Sequence, residues 1–412
     1  MAEKINYLDG LRGIAAINVM MFHFFTSLAP AMVYGNNYPS HFGDLDYLFS
    51  TTPLRLIAAG GFSVCIFFVL SGYVLTQKYF KTRNRNVIIS GAMRRYIRLF
   101  VPVFVIIMLS FLLFSAGLFH YYIEAVTISA SSNYHNHWTF TPNIVDAVKQ
   151  AAWSSFFVGG DIYYDPVLWT MKIEFFGSML VFTMALLFGS MRNRGVCYLA
   201  SVVIAVIFLN SYYLAFIIGM ILADMFNNKT PIFKTSNKII LSIMLVSGLF
   251  LGSYPETPLT NNPLYSFLDN SFFQIPKTIY HIIGASMVIY VLLNSQRLQN
   301  MFSSRVPVFL GKISYSLYLI HFLVISSFTC ALFLVLYPML PYELAFLISC
   351  FLSVLLIIPL SYLFYKYVDM AGVKLSKIFY NWVINSGILN GARNIKQETL
   401  MGAIFTIYNK FK

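Results

Sequence analysis

The sequence predicts an all-α, polytopic integral membrane protein with about ten transmembrane helices and both termini cytoplasmic. Three observations carry this prediction. Apolar residues make up 58% of the 412 residues and charged residues only 10%, against roughly 45–50% and 25% in soluble domains. Apolar runs close to the roughly 20 residues that span a bilayer recur along the whole chain. Positive charge is confined to alternate connecting segments. This composition excludes a soluble globular enzyme, a disordered chain and a fibrous repeat.

The runs lie at about 13–32, 56–77, 99–121, 166–188, 196–210, 211–226, 239–254, 277–293, 314–337 and 343–367. The stretch 196–226 reads either as two short helices joined near Asn210 or as one long helix. Of the 28 Lys and Arg residues, all but Arg55, Lys149, Lys172 and Lys277 fall in the N-terminus, in 78–98, 189–195, 226–238 and 294–312, or after 366. An excess of Lys and Arg marks cytoplasmic loops, so these segments are placed inside. The net charge of +13 is thereby a topology signal, and no nucleic-acid partner is expected. Cys65, Cys197, Cys330 and Cys350 sit in or beside apolar runs without close spacing. They read as small buried apolar residues, with neither a disulfide framework nor a metal site expected. The outer loop 122–165 carries His135, His137, Trp138, Asp161, Tyr163, Tyr164 and Asp165. That material suits either a sugar surface or an interfacial aromatic belt. The expected organisation is a transmembrane domain over 1–370 and a cytoplasmic tail over 371–412 lying on the inner membrane surface.

Ionisable residues at membrane depth are costly and mark candidate sites. They are Arg12, His23, Glu174, His281 and His321. Arg12 and His23, eleven residues apart, share one helix face about 16 Å apart along the axis. This geometry suits a long ligand with an anionic head near the surface and a reactive end in the core. Asp9, one turn before Arg12, can cap the helix or hold the arginine. Arg94, Arg95 and Arg98 are read as opening the third helix, and guanidinium forks suit phosphate. Glu174 needs a partner, with His23, an arginine or a substrate hydroxyl as candidates. Ser314, Tyr318 and His321 fall on one face and read more readily as a polar packing seam. In Phe67-Phe68-Val69-Leu70-Ser71-Gly72-Tyr73, the small residues read as close helix packing.

Taken together, these segments resemble the membrane-bound acyltransferase 3 family, whose members O-acylate bacterial surface glycans. The resemblance runs from Tyr7-Leu8-Asp9-Gly10-Leu11-Arg12-Gly13-Ile14-Ala15-Ala16 with His23, through Phe67 to Tyr73, Arg94-Arg95-Tyr96-Ile97-Arg98-Leu99 and Leu168-Trp169 with Glu174. It ends at Ile313-Ser314-Tyr315-Ser316-Leu317-Tyr318-Leu319-Ile320-His321. Lys172 stands where the family often has a small polar residue, and Phe175 where it often has a second acid. Asp369 is followed by Met370 rather than the usual proline.

The resemblance implies transfer of an acyl group, most often acetyl, from cytoplasmic acyl-CoA to a hydroxyl of an extracytoplasmic or lipid-linked sugar. Lipopolysaccharide O-antigen or exopolysaccharide would be the acceptor, in a bacterial inner membrane. Acetyl-CoA, or another acyl-CoA, would be a co-substrate, with no permanently bound cofactor. His23 would be the catalytic base or the acyl carrier, and Glu174 would orient it or the acceptor. Arg12, Arg94, Arg95 and Arg98 would hold the donor phosphates, with Asp9, Ser71, Tyr73 and His321 also lining the substrate site. Membrane lipid is a further expected partner. The competing class is a proton-coupled transporter of an anionic lipid or sugar. It lacks the internal repeats and broken helix pairs such proteins show.

Overall fold

The computed structural model describes residues 5–131, 137–159, 163–208, 211–227, 234–256, 262, 264–268 and 277–386. Among these residues every regular element is helical. The long helices are α1 (Asn6–Leu28), α2 (Gly60–Thr82), α3 (Arg85–Ser115), α4 (Trp169–Phe188) and α5 (Arg194–Phe208). They continue with α6 (Tyr212–Asn227), α7 (Lys238–Gly252), α8 (Lys277–Asn294), α9 (Arg305–Val324) and α10 (Tyr342–Phe364). Helix α9 runs on through a π-helical turn, Ile325–Thr329, to Leu336. Helix α10 runs on through a second, Tyr365–Asp369, to Asn385, making one helix of 44 residues.

Seven of the helices among the described residues are long and apolar enough to cross a membrane. Helices α5, α6 and α7 are apolar but shorter, rising only about 24 Å at 1.5 Å per residue. The stretch 196–226 is therefore two helices; residues 209 and 210 between them lie outside the described residues. So do His135, Asp161 and the tail beyond 386.

Two boundaries differ from the sequence reading. Helix α3 begins at Arg85, because Asn84 caps it by accepting the Asn86 N–H at 2.9 Å. Arg94, Arg95 and Arg98 thus sit well inside a helix rather than at its entry. The outer segment after α3 is also not a plain loop. It contains helices at His120–Ile128 and Ile144–Lys149, the latter continuing as a π-helix to Val158. Phe119, Tyr122, Trp138, Phe156 and Tyr164 are buried there.

Glycines set the closest approaches. Helix α1 packs tightly on α9, and α2 on α6. A Cβ at Gly13 would lie 2.4 Å from Gly311 N, and one at Gly311 would lie 2.0 Å from Asp9 O. In the second pair a Cβ at Gly72 would lie 2.1 Å from Phe216 O, and one at Gly219 would lie 2.0 Å from Val69 O. Only residues without a Cβ let two backbones come this near, as small residues do where membrane helices cross. One apolar core gathers around α1, α3, α9 and α10, and a second around α2, α4, α6 and α8. The site lies where the two meet.

Candidate functional site

A cavity of about 340 Å³ opens between α1, α2, α3, α4, α9 and the π-turn after α10. Its basic end is built by Arg12, Arg95, Arg98 and Lys312, with Glu174 and Asp369 among them. Its apolar wall includes Val64, Phe67, Phe68, Val74, Leu75 and Leu99. Cations facing a low-dielectric interior are costly unless paired, and the three arginines are paired. Arg95 donates to Glu174 Oε1, its Nε donates to Ser178 Oγ at 2.8 Å, and Ser71 Oγ donates to the same Glu174 oxygen at 3.0 Å. Arg98 donates to Asp369. Arg12 lies 3.5 Å from Asp9. Lys312 instead sits over aromatic faces, its Nζ 5.2 Å from the Tyr365 ring centre and 5.9 Å from that of Tyr362. Such a set can receive an anion with several charges by exchanging carboxylate partners for phosphate oxygens.

The other centre is a pair of histidines joining α1 to α9. His23 Nδ1 lies 3.0 Å from Val19 O and 3.0 Å from His321 Nε2. His321 Nδ1 lies 3.0 Å from Leu317 O. Carbonyl oxygens only accept, so each Nδ1 carries its hydrogen, and each Nε2 carries a lone pair. His321 is fully buried, whereas His23 keeps partial exposure. The pair stands beyond the cavity's end. Tyr318 lines the cavity, its ring centre 5.9 Å from that of His321, and its hydroxyl donates to Val167 O at 2.7 Å and lies 3.0 Å from Thr170 Oγ1. On the other side, Phe322 packs edge-on to His23 and to His137, with ring centres 5.2 and 6.1 Å apart.

The structure thus brings together Arg12, Asp9, Ser71, Arg95, Arg98 and Glu174 at one place, and His23 with His321 at another. Glu174 is held by Arg95 and Ser71, and His23 pairs with His321 instead. Arg94 and Tyr73 stand apart from the cavity. Arg94 turns back along its own helix, Nε donating to Ser90 O at 3.0 Å. It follows the Arg95 face by about 100° of helix rotation. Tyr73 lies roughly 200° around α2 from Ser71 and is buried in the second core. His281 bonds to Tyr254 O at 3.1 Å, in a separate outer cluster with Glu256. Two cavity residues went unsingled in the sequence: Lys312, counted there as topology charge, and Tyr315, whose ring lies 5.9 Å from the Arg98 guanidinium.

A polyanion-sized cavity that ends against an imidazole pair, inside a helical membrane bundle, defines a membrane-embedded site equipped for group transfer. The family model described as an acyltransferase domain matches residues 5–365, and the chain belongs to that family, acyltransferase 3. It is similar to the acyltransferase R4 of Phoma sp., at 24% identity over 79% of this chain and 84% of the relative. It is likewise similar to the acyltransferase clz18 of Cochliobolus lunatus, at 24% over 79% and 84%. The O-acetyltransferase PaAT-1 of Phomopsis amygdali is 23% identical over 94% of this chain and 86% of its own length. No solved structure gives a significant match. The protein is therefore an acyltransferase of the membrane, and nothing in these comparisons supports a transporter.

Proposed function

We propose that the protein transfers an acyl group, acetyl before longer chains, from acyl-CoA to a hydroxyl of an extracytoplasmic or lipid-linked sugar. The observation that carries this reading is the cavity with Arg12, Arg95, Arg98 and Lys312 at one end and the His23–His321 pair just past the other. The donor's phosphates would lie among these cations, entering from the cytoplasmic side where the Lys and Arg excess lies. Arg12 and His23 are about 16 Å apart along α1, a span suited to the long arm of the donor. Tyr318 would have to swing from between the cavity and the histidines for the thioester to pass.

At the reacting centre, His23 Nε2 takes the proton from the sugar hydroxyl as its oxygen attacks the thioester carbonyl carbon. The C–O bond forms and the C–S bond breaks. The leaving thiolate takes the proton back from His23 and departs as the CoA thiol. Surrounding helices keep water from the thioester, which limits hydrolysis. Glu174, fixed by Arg95 and Ser71, acts at the donor end by holding Arg95 in place.

For the acceptor, lipopolysaccharide O-antigen in a bacterial inner membrane is the first to test, with exopolysaccharide next. The support is the motif set read from the sequence; the relatives named above are fungal, and only PaAT-1 is named for O-acetyl transfer. The experiment is proton NMR of the purified surface glycan from a deletion strain, the strain restored with the wild type, and the strain restored with His23→Ala. O-acetyl signals that return with the wild type and not with His23→Ala are expected. Identical spectra from all three would overturn the glycan reading.

A further inference from the structure

We infer that His321 is a positioning residue for His23, a neutral counterpart of the carboxylate that backs the histidine in a catalytic triad. This rests on the acyl-CoA reading above.

The argument starts from hydrogens. His321 Nδ1 lies 3.0 Å from Leu317 O, one turn back on its own helix, so it donates there and Nε2 is left as an acceptor. That acceptor lies 3.0 Å from His23 Nδ1. His23 Nδ1–H is shared between it and Val19 O, also at 3.0 Å. The protonic order runs one way, from His23 Nδ1–H to His321 Nε2, and from His321 Nδ1–H to Leu317 O. It leaves the lone pair of His23 on Nε2.

When His23 takes the hydroxyl proton on Nε2 it becomes an imidazolium, and its positive charge spreads to Nδ1–H. A second nitrogen lone pair already aimed at that hydrogen stabilises the charged form with no reorganisation. The Val19 carbonyl alone would orient the ring, but it cannot accept a proton. His321 can share it. The pair holds no carboxylate and therefore introduces no permanent charge into the bundle core, where one would be costly.

The role differs from structural packing, because packing needs the shape of His321 and the relay needs its acceptor nitrogen. Glutamine at 321 keeps an acceptor oxygen near the position of Nε2; leucine fills space and accepts nothing. The test has two readouts. The first is solid-state NMR of the ¹⁵N-histidine-labelled full chain in lipid, looking for a through-hydrogen-bond coupling between His23 Nδ1 and His321 Nε2. The second is the initial rate of labelled acetyl transfer from acetyl-CoA to endogenous glycan in membrane vesicles, for wild type, His321→Gln and His321→Leu. A coupling is expected in the wild type. His321→Leu is expected to lower kcat about 100-fold with KM for acetyl-CoA within about threefold, and His321→Gln to recover about tenfold of that loss. A missing coupling in an active wild type, a His321→Leu enzyme within twofold of wild type, or a His321→Gln enzyme no better than His321→Leu overturns the relay alone. Wild-type vesicles that transfer no acetyl group at all overturn the acyl-CoA reading and the relay with it.

Discussion

Gly311→Ala tests whether the spacing of α1 and α9 governs the histidine pair. The added Cβ would sit 2.0 Å from Asp9 O and 2.4 Å from Asp9 C, both backbone atoms that cannot rotate away. Ordinary contact begins near 3.4 Å, so the helices must part by about 1.4 Å at this level. Overpacking of this kind costs about 1–3 kcal/mol. The histidines lie ten residues further along each helix, about 15 Å up the same seam. If the helices move as rigid rods, the 3.0 Å His23–His321 contact stretches beyond hydrogen-bonding range, and a misplacement of about 1 Å can cost about 100-fold in rate. The assay is labelled acetyl transfer in membrane vesicles beside a thermal unfolding midpoint of the purified protein. Gly195→Ala serves as the control. That glycine lies in α5, and its added Cβ would meet nothing within 4 Å, so helix propensity alone should stabilise it by about 0.5–1 kcal/mol with the rate unchanged. A Gly311→Ala protein with the wild-type midpoint and a rate within twofold would refute the reasoning.

The donor end predicts a split in kinetic parameters. Arg95→Ala should raise KM for acetyl-CoA about tenfold, the worth of one charge-assisted hydrogen bond, and Lys312→Met about threefold, as expected of a cation at an exposed mouth. Unchanged KM values in both would remove the phosphate-binding role. The outer cluster predicts a pH effect. Burial acts to raise the Glu256 carboxyl, but Lys277, His281 and Arg55 outweigh it and hold it at about 2, with Lys277 Nζ 2.8 Å from Oε2. A depressed carboxyl contributes fully above its ordinary value of 4.5 and loses that contribution as pH falls toward 2. The thermal midpoint should therefore drop across that window. Glu256→Gln should remove about 3 kcal/mol of the dependence, and an identical pH slope in both proteins would refute the assignment.

Much of this architecture was legible in the sequence because membrane helices are written in composition and length. The positions of His23, Arg95 and Glu174 were legible too, since a buried charge in an apolar run stands out. The pairings were not. His23 with His321, Arg95 with Glu174 and Arg98 with Asp369 each join distant segments, and only the packing of α1 on α9 and of α3 on α4 and α10 decides them. Helix rotation could have separated Arg94 from Arg95 and Tyr73 from Ser71, because adjacent positions point about 100° apart. Which of the two faces the cavity depends on Gly72 and Gly219 bringing α2 against α6. Lys312 was hidden for another reason. A lysine at the basic end of a helix looks like an orientation signal, and only the aromatic rings beneath it and the arginines around it show that it also faces a cavity.

The π-helical turn at Tyr365–Asp369 has a bearing on how this chain tolerates insertion and deletion. A π-turn accommodates one more residue than the α-helical turn it replaces. Removing a single residue there would let the helix close into regular α geometry and wind everything beyond it by about 100°. Asp369, at the end of that turn, would then leave Arg98, and the amphipathic stretch Met370–Asn385 would present a different stripe to α3. Substitutions along this turn change side chains one at a time, whereas a one-residue deletion acts as a twist of the whole C-terminal arm. In this region register, more than residue identity, keeps the mouth of the cavity closed by its carboxylate.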